Sequence, residues 1–110
     1  MVHRMQWRFL AGIAASLLAA TSAQAAEHVV TQRNKAFSVK KLTIKVGDTI
    51  AFANEDSFAH NVFSLSAAKG FDTGSFGSGQ TKTVNFDKPG KVEVECAIHP
   101  EMRLDVEVTP

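Results

Sequence analysis

Tyrosine is absent from this chain of 110 residues, and its one tryptophan, Trp7, and one cysteine, Cys96, have no companions. A lone cysteine excludes an internal disulfide, the usual reinforcement of small exported domains. Charge of one sign is missing too: 12 basic against 11 acidic side chains give a formal net charge of +1. Nucleic-acid binding needs a basic stripe, and none is present. The longest apolar run, Phe9 to Ala20, is about a dozen residues, short of the roughly 20 that span a bilayer. There is no nucleotide-binding glycine loop, internal repeat or linker.

What is present starts with a leader. Met1 to Arg8 is basic and has no acid, the apolar run follows, and Thr21-Ser22-Ala23-Gln24-Ala25 supplies the small residues of an Ala-x-Ala cleavage site. That order describes a secretory signal peptide over residues 1–25, cut after Ala25 or Ala26. Arg4 and Arg8 are not adjacent, so the twin-arginine route is not indicated. The chain is expected to cross the membrane unfolded, to reach the periplasm and to receive any metal there. Residues 26–110 then form one small domain with a marginal core. Arg4, Arg8 and Trp7 leave with the leader, so the remainder has ten basic and eleven acidic side chains and a net charge of −1. An odd cysteine in an oxidising compartment needs protection, and metal ligation is one form of it.

The domain reads as all-β. Lys41 to Val46 alternates polar and apolar residues, as a half-buried strand does. Gly47-Asp48 turns it into Thr49 to Ala53, where Ile50 and Phe52 share a face. Lys82, Val84 and Phe86 alternate with Thr81, Thr83 and Asn85. Lys88-Pro89-Gly90-Lys91 has the proline and glycine of a type II turn. Beyond it Val92, Val94 and Cys96 face one way and Glu93 and Glu95 the other; Leu104, Val106 and Val108 repeat the pattern. With weaker candidates at 28–33 and 60–65, about seven strands result, which favours a sandwich or barrel. Residues 67–80, with four glycines, read as a surface loop.

Chemistry concentrates in Cys96-Ala97-Ile98-His99-Pro100-Glu101-Met102, where a thiolate, an imidazole and a thioether recur every third residue. On a helix this spacing would merely place them near one face, but Pro100 disfavours helix at His99. In a tight loop the three can converge on one point. His60, from the start of a strand expected in the opposed sheet, can be the fourth ligand; His28, near the new terminus, is its rival. One thiolate, two imidazoles and a weak axial methionine make a blue-copper site serving Cu(I) and Cu(II). Zinc accepts the nitrogen and thiolate donors, but a thioether suits it poorly. Taken singly, Cys96 reads as a small buried apolar residue, His99 as a surface loop residue and Met102 as core filling. Together they read as a copper site.

Gly47-Asp48-Thr49-Ile50, His60-Asn61-Val62-Phe63 and Cys96 to Met102 resemble the cupredoxin family across the whole domain. The short ligand loop is most similar to amicyanin and amicyanin-like plastocyanins. The resemblance implies a Greek-key β-sandwich with one copper ion near one end, bound by His60, Cys96, His99 and Met102. It also implies that His99 is partly exposed and that Asn61 ties the two ligand-bearing segments together. The chain departs from amicyanin at Glu101, where an aromatic or apolar residue is usual, and at Ala59, where proline is common. Its domain is also shorter, so amicyanin's partner, methylamine dehydrogenase, is not carried over.

The expected function is one-electron carriage in the periplasm by a monomer that docks redox proteins near Ile98, His99 and Pro100. Neither nucleic acid nor membrane insertion after cleavage is expected. The alternative is a copper carrier or chaperone using the same ligands; a metal-free adhesion module is the structural option. An enzyme is not expected. His28, His60 and His99 are too few for a multicopper oxidase or nitrite reductase, and no serine, histidine and acid signature appears.

Overall fold

The computed structural model describes residues 24–110. The leader's basic start and apolar run lie outside the described residues. Nine strands follow in order: β1 (Glu27–Arg33), β2 (Ala36–Phe37), β3 (Lys41–Lys45), β4 (Thr49–Asn54), β5 (Phe63–Ser64), β6 (Phe71–Asp72), β7 (Thr81–Asn85), β8 (Gly90–Glu95) and β9 (Arg103–Thr109). They form two sheets of a cupredoxin-like sandwich, ordered β2-β1-β4-β7 and β3-β9-β8-β5-β6. Both are mixed, because β1 runs parallel to β4 and β3 parallel to β9.

The period-two pattern of the sequence becomes the inner faces of these sheets. In β9, Leu104, Val106 and Val108 are buried while Arg103, Asp105 and Glu107 are exposed. Val92 and Val94 of β8 and Ile44 of β3 join them, facing Val30, Ile50, Phe52 and Val84 of the other sheet. With no described tyrosine or tryptophan, phenylalanine supplies the aromatic core. Phe52 meets Phe37 edge-on at 6.1 Å and stacks on Phe71 at 6.5 Å, and Phe71 meets Phe86 edge-on at 6.1 Å.

Several expectations require correction. The stretch at 67–80 is not only a surface loop: it carries β6, packs Phe71 against the core and buries Phe76. Glycines at its turns masked those two anchors. The candidate strand at 60–65 shrinks to Phe63–Ser64, with His60 in an isolated bridge to Phe76. His60 does not come from the opposed sheet. It precedes β5, which pairs with β8, so it and Cys96 are delivered by neighbouring strands of one sheet. At 88–91, Gly90 has φ +138°, well beyond the roughly +80° of a type II turn, and it already begins β8. Glycine is required there for space as well, since a Cβ would lie 2.9 Å from the Ala68 Cβ.

A short hairpin at the ligand-bearing end had no strong signal. Arg33 pairs with Ala36, and the two residues between them, Asn34 and Lys35, have φ +53° and +55°. Both central residues left-handed is the type I′ pattern that matches strand twist. Lysine adopts this conformation rarely. Here Asp56 holds it, accepting the Asn34 N–H at 2.7 Å and the Lys35 N–H at 3.2 Å.

Candidate metal centre

The first ligand is positioned by a chain of hydrogen bonds that starts in β4. Asn54 is buried, and its side-chain amide donates to the carbonyls of Phe58 at 2.8 Å and Phe76 at 3.1 Å. Its oxygen accepts the Asp56 N–H at 2.8 Å. These bonds fold residues 55–59 into a compact connection and deliver His60 into its bridge with Phe76, where each backbone donates to the other. The His60 ring is fully buried, and its Nε2 lies 2.7 Å from Asp56 Oδ2. Burial pushes the Asp56 carboxyl up, but His60 and the two amides of the 34–35 turn outweigh it and leave its pKa below the usual value. With Nε2 held by the carboxylate, Nδ1 is the nitrogen left for a metal, the arrangement typical of metal-bound histidine.

The other donors come from the connection between β8 and β9. Cys96 follows the last residue of β8 and is buried, while Ala97, Ile98, Pro100 and Glu101 are exposed. The Met102 N–H donates to the His99 carbonyl at 2.9 Å, closing a four-residue turn with Pro100 at its second position. Proline's fixed φ suits that position. The spacing of three therefore arises from a turn rather than a helix. Met102 closes the loop with 1% of its surface exposed, and His99 is half-buried. Asn61 joins this loop to the His60 segment: its Oδ1 accepts the Ala97 N–H at 2.9 Å and the Cys96 S–H at 3.4 Å.

Cys96 Sγ lies 3.7 Å from His60 Nδ1 and 3.8 Å from His99 Nδ1, and the two nitrogens are 3.2 Å apart. An ion at the centre of a trigonal set, with metal–nitrogen near 2.05 Å and metal–sulfur near 2.3 Å, would require about 3.6 Å between nitrogens and about 3.8 Å from nitrogen to sulfur. The donors are thus spaced for one ion, with the nitrogens needing to part by a few tenths of an ångström. The Phe58 ring lies 5.3 Å from each imidazole, covering the pair from one side.

The family model for copper-binding proteins of the plastocyanin/azurin family matches residues 24–109. The chain belongs to that family. Copper is accordingly the ion for which His60, Cys96 and His99 are arranged. No curated protein matches the chain by sequence. Among solved structures, a methionine-to-alanine variant of amicyanin with Cu(I) is 26% identical with a TM-score of 0.71. The aligned region covers 76% of this chain and 82% of that one. A reduced proline-to-glycine variant of amicyanin is 27% identical with a TM-score of 0.70 and the same coverage. The copper-containing nitrite reductase of Thermus scotoductus SA-01 is 29% identical with a TM-score of 0.71 over 76% of this chain, but this chain spans only 22% of its length. These similarities agree with the cupredoxin resemblance drawn from the motifs.

The structure brings His60, Cys96 and His99 together, with Asn61 bonded between their segments. His28, the rival ligand, instead bonds Asp48. Sequence reading missed Asn54, Asp56 and Phe58. Asp56 had a faint signal in standing four residues before His60; Asn54 and Phe58 had none outside the fold.

Proposed function

We propose that this chain is a periplasmic type 1 copper protein that carries single electrons between redox proteins, with Met102 as the axial ligand. The observation that carries the reading is the donor triangle of two imidazole nitrogens and the Cys96 sulfur, with a half-buried histidine among them. Bound copper supplies a one-electron couple between Cu(I) and Cu(II). The residues around it act as a fixed frame. Asp56 holds the His60 ring, Asn61 holds the backbone beyond Cys96, and the Pro100 turn holds His99, so rearrangement between oxidation states is restrained. Met102, buried at the end of the loop, would offer a soft thioether, and so weak a donor would tune the potential.

His99 offers the exit. Ile98 is 51% exposed and Phe58 38% exposed, and with Pro100 they surround it with apolar surface. Transient redox encounters need less than about 1,200 Å². Glu101 stands in the same loop, and the Lys35 ammonium lies 5.8 Å from the Phe58 ring centre, so both signs of charge border the patch. In this reading the chain is a carrier and not an enzyme, and the leader of residues 1–25 directs export.

The visible spectrum of the copper-loaded chain tests the reading. The wild type should be intensely blue, Cys96→Ser colourless, and Met102→Leu still blue with a shifted reduction potential. A wild-type protein holding one equivalent of copper without a strong thiolate charge-transfer band would overturn the proposal.

A further inference from the structure

Asp48, at the other end of β4, repeats the arrangement built around Asp56. Its carboxylate accepts the Ala26 N–H at 2.8 Å, the Lys45 N–H at 3.0 Å and a bond with His28 Nε2 at 2.9 Å. In both places a carboxylate binds two backbone amides and one imidazole Nε2. At His60 the remaining Nδ1 faces Cys96 and His99. At His28 the remaining Nδ1 has no hydrogen-bond partner among the described residues. Residues 24–27 are exposed, and β2 pairs with β1 only at Gln32 and Arg33, so among the described residues the start of β1 has β4 on one side and no strand on the other.

Removal of the leader after Ala25 changes the chemistry of this corner. The Ala26 nitrogen becomes a free amine, and His28 becomes the third residue of the chain. An amine, the next two amide nitrogens and Nδ1 of a third-position histidine can close fused chelate rings around one ion. Four nitrogens in a square plane are a geometry of Cu(II) and Ni(II). We propose that cleavage after Ala25 creates a second copper(II) site from the Ala26 amine, the Glu27 and His28 amide nitrogens and His28 Nδ1, with Asp48 holding the His28 ring through Nε2. This rests on the cleavage expected from the leader but not on electron carriage.

Binding replaces one proton on the amine and one on each amide with the metal, so three protons are released from the ammonium form. The Ala26 nitrogen leaves Asp48, and the first ladder bonds of β1 open at a chain end, where order is weakest. Asp48 acts as the carboxylate behind a metal-bound histidine, fixing the ring and raising its basicity. The parallel register of β1 and β4 runs from Glu27↔Thr49 to Gln32↔Asn54, so the length of both strands separates this corner from the His60 end. The two ions would share no ligand.

The test uses the full chain, exported, isolated after processing and already carrying copper at the Cys96 site. Mass determination identifies the first residue. Added Cu(II) should bind as a second equivalent, with a weak ligand-field band, a tetragonal nitrogen spectrum by electron paramagnetic resonance and no change in the blue band. His28→Ala should lose the second equivalent and keep the blue band. Insertion of one glycine between Ala26 and Glu27, which moves the histidine to the fourth position, should lose it as well. A wild-type chain beginning at Ala26 that binds only one copper overturns the site, as does a second equivalent that survives the insertion. A chain beginning elsewhere overturns the cleavage and the site together. Loss of the blue band alone counts against the electron carrier and leaves the second site standing.

Discussion

The two ends of the sandwich use the same device in different surroundings. At each, one aspartate gathers two backbone amides and one histidine: Asp56 takes Asn34, Lys35 and His60, and Asp48 takes Ala26, Lys45 and His28. The His60 side chain has no exposed surface, whereas that of His28 is 28% exposed. Around Asp56 one partner is the candidate ligand His60 and the other two belong to the 34–35 turn. Around Asp48 the partners belong to a turn and to the start of a strand. A carboxylate–imidazole bond therefore does not define a functional centre by itself. Burial, and what the other ring nitrogen faces, decide its role.

The largest test of this contrast removes each carboxylate. Asp56→Ala strands two amides of a left-handed turn and releases the buried His60 ring. Leaving the buried His60 ring without its partner costs about 1–3 kcal/mol, while water can reach the exposed 34–35 turn, so a loss of about 2 kcal/mol and weakened copper binding are expected. Asp48→Ala should cost less and leave the blue band unchanged, because water can reach Ala26 and His28. Urea unfolding of both variants, with spectra, reads the difference. Equal losses would make the two ends equivalent and break the comparison.

Acid titration sharpens it. Hydrogen bonds from His28, and then from the Lys45 and Ala26 amides, bring the Asp48 carboxyl down from the usual 3.8 to about 2. A lowered folded-state pKa means that the contribution is complete above the unfolded value and fades as the pH falls through the folded one. Stability should therefore decline between pH 3.8 and about 2, and Asp48→Asn should flatten that part of the curve. Urea midpoints measured across this range in wild type and variant check it; parallel curves would remove Asp48 as a contributor.

The smallest expected effect on the fold is at the copper end. Ile98 is half-exposed, so Ile98→Lys should leave stability and the visible spectrum almost unchanged while slowing electron exchange, because a charge is costly to desolvate in an apolar contact. Glu101→Lys should act mainly on association and its salt dependence. Electron self-exchange and partner kinetics across ionic strength measure both. Loss of copper from Ile98→Lys would show that the residue supports the loop rather than a docking face.

The ligand loop was legible because its candidate donors lie within seven consecutive residues, where a strand pattern stops at Cys96 and Pro100 disfavours the helical alternative. The second-layer residues were not. Asn54 reads as an ordinary strand-end asparagine, and only the fold brings the Phe58 and Phe76 carbonyls to its amide. The stretch at 67–80 misled for a related reason: its glycines advertise turns, while the partners of Phe71 and Phe76 are distant in sequence.

The sequence by itself determined the strand faces and the ligand loop, because alternation and turn chemistry act between residues close along the chain. The expectation of a leader is local in the same way, resting on charge, an apolar run and small residues close together in the sequence. Tertiary structure alone decided that His60 and Cys96 come from neighbouring strands of one sheet, that β1 runs parallel to β4, and that Asp56 stands behind the ligand while Asp48 stands behind His28. Those choices depend on contacts between segments far apart in the chain, and local preferences do not specify such pairings.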